Sequence, residues 1–111
     1  MKKLLIGLLL TVAMLIGAIT QPALAEEIGN GARIFEVNCA GCHPKGGNII
    51  RRGKTLKLGA LKKYKMDSIE AIASIVANGK NPMTAFKDRL TEKEINEVAA
   101  YVLAQAEKDW K

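Results

Sequence analysis

Cys39-Ala40-Gly41-Cys42-His43 is the stretch on which the reading of this chain turns. Two thiols three positions apart, followed at once by an imidazole, form the C-x-x-C-H pattern of c-type haem attachment. Each thiol can add to one vinyl group of a porphyrin, and the adjoining imidazole is then held beneath the ring as an iron ligand. Cys39 and Cys42 are therefore the expected covalent anchors of one haem c, and His43 its expected proximal ligand. A redox dithiol is one alternative, but a thioredoxin-like C-x-x-C belongs in a strand–helix context, and this one closes a helical pattern in a sequence without convincing strands. A structural zinc would need four Cys or His ligands, whereas the chain holds two cysteines and one histidine.

Outward from the motif, the N-terminus reads as a targeting segment. Met1-Lys2-Lys3 is a short positive start, Leu4 to Ile19 is almost entirely apolar, and Ala23-Leu24-Ala25 fits the small-x-small cleavage rule. The expectation is a signal peptide over 1–25, with an uncleaved anchor as the alternative. The apolar run is shorter than the roughly 20 residues that span a bilayer, and the absence of a twin-arginine pair from this start favours the Sec route. Residues 26–111 then form one small domain. A chain of that size buries only about 60–65% of its unfolded surface, so it needs a staple. A covalently held haem would be both the staple and an apolar centre for packing. Export is consistent, since c-type haem is joined after the polypeptide crosses the membrane.

The formal charge is +6; without Lys2 and Lys3 the remaining 15 basic and 11 acidic residues leave +4. That modest excess, reduced further by haem propionates, suits a partner with an acidic docking face, where charge raises the association rate more than the affinity. An exported chain with no recognisable reading motif is a poor nucleic-acid binder.

The rest reads as helices and loops. Asn30 to Asn38 is expected as a short helix with Ala32, Phe35 and Cys39 near one face. Pro44 to Lys57, rich in glycine and cations, is expected as a loop, and Leu58 to Tyr64 as a short helix. Asp67-Ser68-Ile69-Glu70 resembles a capping box with Asp67 at the cap; Ile69, Ile72, Ala73 and Val76 follow at helical spacing, and Asn78-Gly79 supplies the stop. The segment around Asn81-Pro82-Met83 should be extended or turned. Thr91 and Glu94 form a second capping box, opening a helix whose inner face carries Ile95, Val98, Ala99 and Val102, with Tyr101 beside them.

His43 is the only histidine, so bis-histidine ligation within one chain is impossible. By spacing, Met83 is the stronger candidate for the sixth ligand: it lies 40 residues after His43, enough chain to cross to the opposite haem face. Met66 is its rival, and a core methionine filling a gap beside the haem is the bland alternative for Met83.

From about Ile28 to Trp110 the chain resembles the class I cytochromes c, and cytochrome c6 in particular. The residues that carry the likeness are Gly31 and Phe35 before the haem motif, Asn78-Gly79-Lys80 before Met83, Phe86-Lys87-Asp88-Arg89-Leu90 after it, and the late Tyr101 and Trp110. The resemblance implies an all-α, class I cytochrome c fold of about four helices packed around one covalently attached haem, with Met83 as axial ligand. It implies that Gly31 and Phe35 cross an aromatic on the last helix, here Tyr101. It also implies that Arg89 lies near the haem edge and assists docking or electron transfer with photosystem I; a solvated arginine is the bland reading. Two features depart from the family pattern. Met83 is flanked by Pro82 and Thr84 instead of the usual Ala and Pro. Ile75 stands eight residues before Met83, where cytochrome c6 often has a glutamine that raises the haem potential, so Ile75 looks like the lower-potential cyanobacterial variants.

The expected function is one-electron transport without catalysis. The resemblance implies transfer from the cytochrome b6f complex to photosystem I in the thylakoid lumen or periplasm, with a terminal oxidase as a further acceptor, by a monomer touching membrane complexes only peripherally. A haem-based ligand sensor or a peroxidase-like enzyme would need Met83 off the iron. The peroxidase would also need a distal acid–base group that no second histidine provides.

Overall fold

The computed structural model describes residues 26–111; the expected signal peptide lies outside the described residues. The chain runs through helix α1 (26–38), a 3-10 turn at Pro44–Gly46, and helices α2 (Leu58–Lys63), α3 (Ile69–Asn78) and α4 (Glu92–Glu107). Among the described residues there is no β-strand, only an isolated bridge between Lys80 and Met83. Among the described residues the fold is all-α with four α-helices, as expected.

Local chemistry sets the helix limits. The N-cap of α4 is Thr91, whose hydroxyl accepts the Glu94 N–H while the Glu94 carboxylate accepts the Thr91 N–H, closing a full capping box. Glu92 and Glu94 in the first turn also oppose the positive end of the helix dipole. The second box is corrected by the structure. Ser68, not Asp67, caps α3, accepting the Ala71 N–H at 3.1 Å. Both residue types cap well, and the choice falls to Ser68 because the chain leaves α2 through a tight closure that sets where α3 can begin.

That closure is a Schellman motif. The Met66 N–H bonds the Leu61 carbonyl at 2.7 Å and the Lys65 N–H bonds that of Lys62 at 3.1 Å, with Lys65 in the left-handed region at φ 58. Helix α2 therefore ends at Lys63, and Tyr64 lies just outside it as the C-cap. Helix α1 already runs at residue 26, before the expected start at Asn30.

The core gathers Phe35 from α1, Leu61 from α2, Ile72 and Val76 from α3, Phe86, and Ile95, Val98, Ala99, Val102 and Ala106 from α4. Helices α3 and α4 pack against each other, and α2 and the 3-10 turn also lie against α4. Helix α1 crosses α4 at Gly31, where a Cβ would stand 2.4 Å from the Glu97 carbonyl oxygen and 2.7 Å from the Tyr101 Cβ. Only a hydrogen fits that gap. The close approach brings Phe35 to Tyr101 with ring centroids 5.5 Å apart, and Trp110 joins them, 5.2 Å from Phe35 and edge-on to Tyr101 at 6.0 Å. Such pairs add about 0.5–1.5 kcal/mol each beyond area burial. Burial first, and then the nearby Glu36 carboxylate, push the Tyr101 phenol above its ordinary range.

Candidate haem-binding site

The helices enclose a cavity of about 430 Å³, within the size range of sites that take small molecules and cofactors. One wall is the segment after α1, with Cys39, Cys42 and His43. Ile72, Ile75 and Val76 of α3, Phe86, and Val98 and Val102 of α4 supply an apolar wall. Met83 lines the same space from the loop between α3 and α4.

The motif is shaped by its own backbone. Cys39 and Ala40 both donate to the Phe35 carbonyl, and Cys42 and His43 both donate to that of Cys39. The chain thus keeps turning past the end of α1, so both cysteines and the histidine reach one cavity. The His43 Nδ1 lies 2.8 Å from the Gly47 carbonyl oxygen. A carbonyl can only accept, so Nδ1 carries the proton and the Nε2 lone pair is left free for a metal. Cys42 is exposed, whereas burial, helped by the neighbouring Cys42, pushes the Cys39 thiol up to about 11. Cys39 is therefore a neutral thiol, compatible with an apolar wall.

Met83 is held by its loop. It exchanges backbone hydrogen bonds with Lys80, and the Phe86 and Lys87 N–H groups tie the returning chain to Val76 and Ala77 at the end of α3. The half-buried thioether packs on the core. Met66 also lines the cavity, so both methionines weighed in the sequence are brought to the site. Ile75 is on the wall as well. Arg89 is exposed and does not line the cavity.

Sequence reasoning passed over Asn48. Its side-chain oxygen accepts the Ile50 and Arg51 N–H groups and its amide donates to the Lys54 carbonyl. This folds the cationic loop so that Asn48, Arg51 and Lys54 lie at the cavity. The signal for it was an Asn followed by two residues able to close an Asx turn. Lys54 and Lys63 lie over the Tyr64 ring, 5.3 and 5.5 Å from its centroid, and Ile49 and Ile50 are exposed nearby in sequence.

Two thiols, one imidazole with a fixed tautomer and a thioether around a mostly apolar cavity fit a flat, iron-bearing macrocycle better than a bare ion. Among the described residues no cluster of three or more His, Cys, Asp or Glu side chains could hold a metal by itself.

The chain is similar to known proteins along nearly its whole described length. Residues 26–102 match the family described as cytochrome c oxidase, cbb3-type, subunit III. The chain is 60% identical over 111 residues, the full length of both proteins, to a cytochrome c6-like protein of Nostoc sp. (strain PCC 7120). It is 51% identical, again over the full length of both, to the cytochrome c6 of the same organism. The crystal structure of cytochrome c6C from Synechococcus sp. PCC 7002 superposes with a TM-score of 0.72 at 53% identity, covering 73% of this chain and 99% of that one.

Proposed function

Because the chain belongs to the cytochrome c6 family, haem electron carriers with one covalently bound haem c, we propose that it carries electrons from a cytochrome b6f complex to photosystem I. The observation that supports this reading is the convergence of Cys39, Cys42, His43 and Met83 on one apolar cavity. Bound there, the haem supplies an iron that passes between ferrous and ferric states.

The chain's own groups do the rest. Cys39 and Cys42 would hold the haem through two thioether links. His43 would ligate the iron through Nε2, because the Gly47 carbonyl holds its Nδ1 proton. Met83 would give its thioether to the iron as the second protein ligand, which would leave no position for a substrate. The aliphatic wall of Ile72, Ile75, Val76, Val98 and Val102 excludes water and limits the rearrangement that accompanies a change of charge. Ile75 offers no polar contact where cytochrome c6 often has a glutamine, which supports a working potential below that of ordinary cytochrome c6 and keeps a terminal oxidase as a second acceptor.

The exposed cations from Arg51 to Lys65, with Arg89, are suited to an acidic docking face on the membrane complexes. Residues 1–25 are read as a signal peptide that directs residues 26–111 to the thylakoid lumen or periplasm. N-terminal sequencing of the exported protein should begin at Glu26.

The oxidised holoprotein is expected to show the far-red charge-transfer band of methionine on ferric iron. A missing band, together with rapid carbon monoxide binding by the reduced protein, would favour a ligand sensor instead.

A further inference from the structure

Trp110 lies at the far end of the chain from the haem motif, yet it is bonded to the loop that orients His43. After α4 the chain closes in a second Schellman motif, with the Trp110 N–H on the Gln105 carbonyl at 2.8 Å and the Asp109 N–H on that of Ala106 at 3.2 Å. Asp109 and Trp110 both take left-handed backbone angles, φ 57 and 58. Side chains rarely adopt that region without a compensating contact. Here the turn swings the indole back over the 3-10 turn at Pro44–Gly46.

The indole meets that turn in two ways. Its Nε1–H donates to the Leu56 carbonyl at 3.0 Å, across 54 residues of sequence. Its ring also covers Gly46 so closely that a Cβ there would stand 2.4 Å from the ring. Leu56 is itself fastened to the turn, its N–H donating to the Gly46 carbonyl at 2.7 Å. Gly46 donates to the His43 carbonyl, and the next residue, Gly47, carries the oxygen that receives the His43 Nδ1 proton.

We propose that Trp110 is a positioning residue for His43: by clamping Gly46 and Leu56 it keeps the Gly47 carbonyl on the Nδ1–H. The inference rests on the assignment of His43 as the iron ligand. A carbonyl held on the far nitrogen fixes the ring's orientation and strengthens it as a donor, and loss of such outer partners commonly changes metal-site properties about 10–100-fold. Residue 110 therefore acts on the iron ligand without lining the cavity.

The test is proton exchange at His43 Nδ1, followed by NMR in the reduced holoprotein, with α3 amides reporting global opening. In the unmodified protein a haem-shifted, slowly exchanging His43 Nδ1–H is expected; a His43 ring without a haem shift would remove the ligand assignment itself. Trp110→Phe keeps a ring over Gly46 but loses the bond to Leu56, and should speed exchange about tenfold, the factor for one ordinary hydrogen bond. Trp110→Leu should exceed that. Tyr101→Leu, which disturbs the same aromatic cluster away from the bond to Leu56 and the ring contact on Gly46, should lower thermal stability while leaving Nδ1 exchange, relative to the α3 amides, unchanged. Unchanged relative exchange in folded Trp110→Phe, or an equal rise in Tyr101→Leu, would overturn the proposal and leave Trp110 as packing alone.

Discussion

Gly31 and Glu97 touch backbone to backbone: a Cβ on Gly31 would stand 2.4 Å from the Glu97 carbonyl oxygen. The contact locks α1 on α4 and so carries the haem motif, which begins one residue after α1, to the cavity. Gly31→Ala should gain up to about 1 kcal/mol of helix propensity but lose about 1–3 kcal/mol to overpacking. Because backbone cannot swing aside, the loss should dominate at about 2 kcal/mol. That lowers the thermal midpoint of a domain this size by about 10 °C. Scanning calorimetry of the holoprotein checks it, and an unchanged midpoint would mean that the crossing is looser than it looks.

Haem attachment should be inseparable from folding. At about 24 cal/mol per Å³ of void, an unfilled 430 Å³ cavity represents a penalty of about 10 kcal/mol, an upper figure because the cavity opens to solvent. The whole stability of a domain is only about 5–15 kcal/mol. The double variant Cys39→Ser, Cys42→Ser, which cannot hold haem covalently, should lose most helical circular dichroism and be degraded in the cell. Retention of native helicity without haem would contradict this account of the core.

Two methionines line the cavity, and one substitution at each separates them. Met83→Ala should abolish the far-red ferric band and let the reduced protein bind carbon monoxide. Met66→Leu, nearly equal in volume, should cost less than about 1.5 kcal/mol and keep both spectra. The opposite pattern would give the axial position to Met66.

Ile75→Gln tests the tuning of the iron. An amide N–H turned toward the haem disfavours the extra positive charge of the ferric state, so the midpoint potential should rise. Each kcal/mol of preference is worth about 40 mV for one electron. Potentiometric titration of both proteins decides it, and no rise would remove Ile75 as a determinant.

Much of this was legible because it is local. Thr91 and Glu94 sit three residues apart and need no distant partner to cap α4, and the apolar face of that helix follows from its period. The haem motif is a contiguous pentapeptide, so its reading did not depend on the fold. Ser68 was passed over for Asp67 because two good caps stood side by side. The Schellman closure at Leu61 and Met66, not the cap residues, fixes where α3 starts. Trp110 bonds a carbonyl 54 positions away, beyond any pattern of spacing. Glu97 is buried, at 4% exposure, on a helix whose period assigns the core to Ile95, Val98, Ala99 and Val102. The close passage of Gly31 buries it, and Lys93, one turn back, answers its charge at 3.8 Å.

The most direct test of the proposed role is electron transfer from the reduced protein to isolated photosystem I, followed by flash absorption across ionic strength. The account predicts a second-order reaction that is fast at low salt and slows as salt screens the exposed cations between Arg51 and Lys65. It also predicts a lower rate for Arg89→Gln at low salt. Slow reduction of photosystem I with no dependence on ionic strength would contradict the photosynthetic assignment and the basic docking face together.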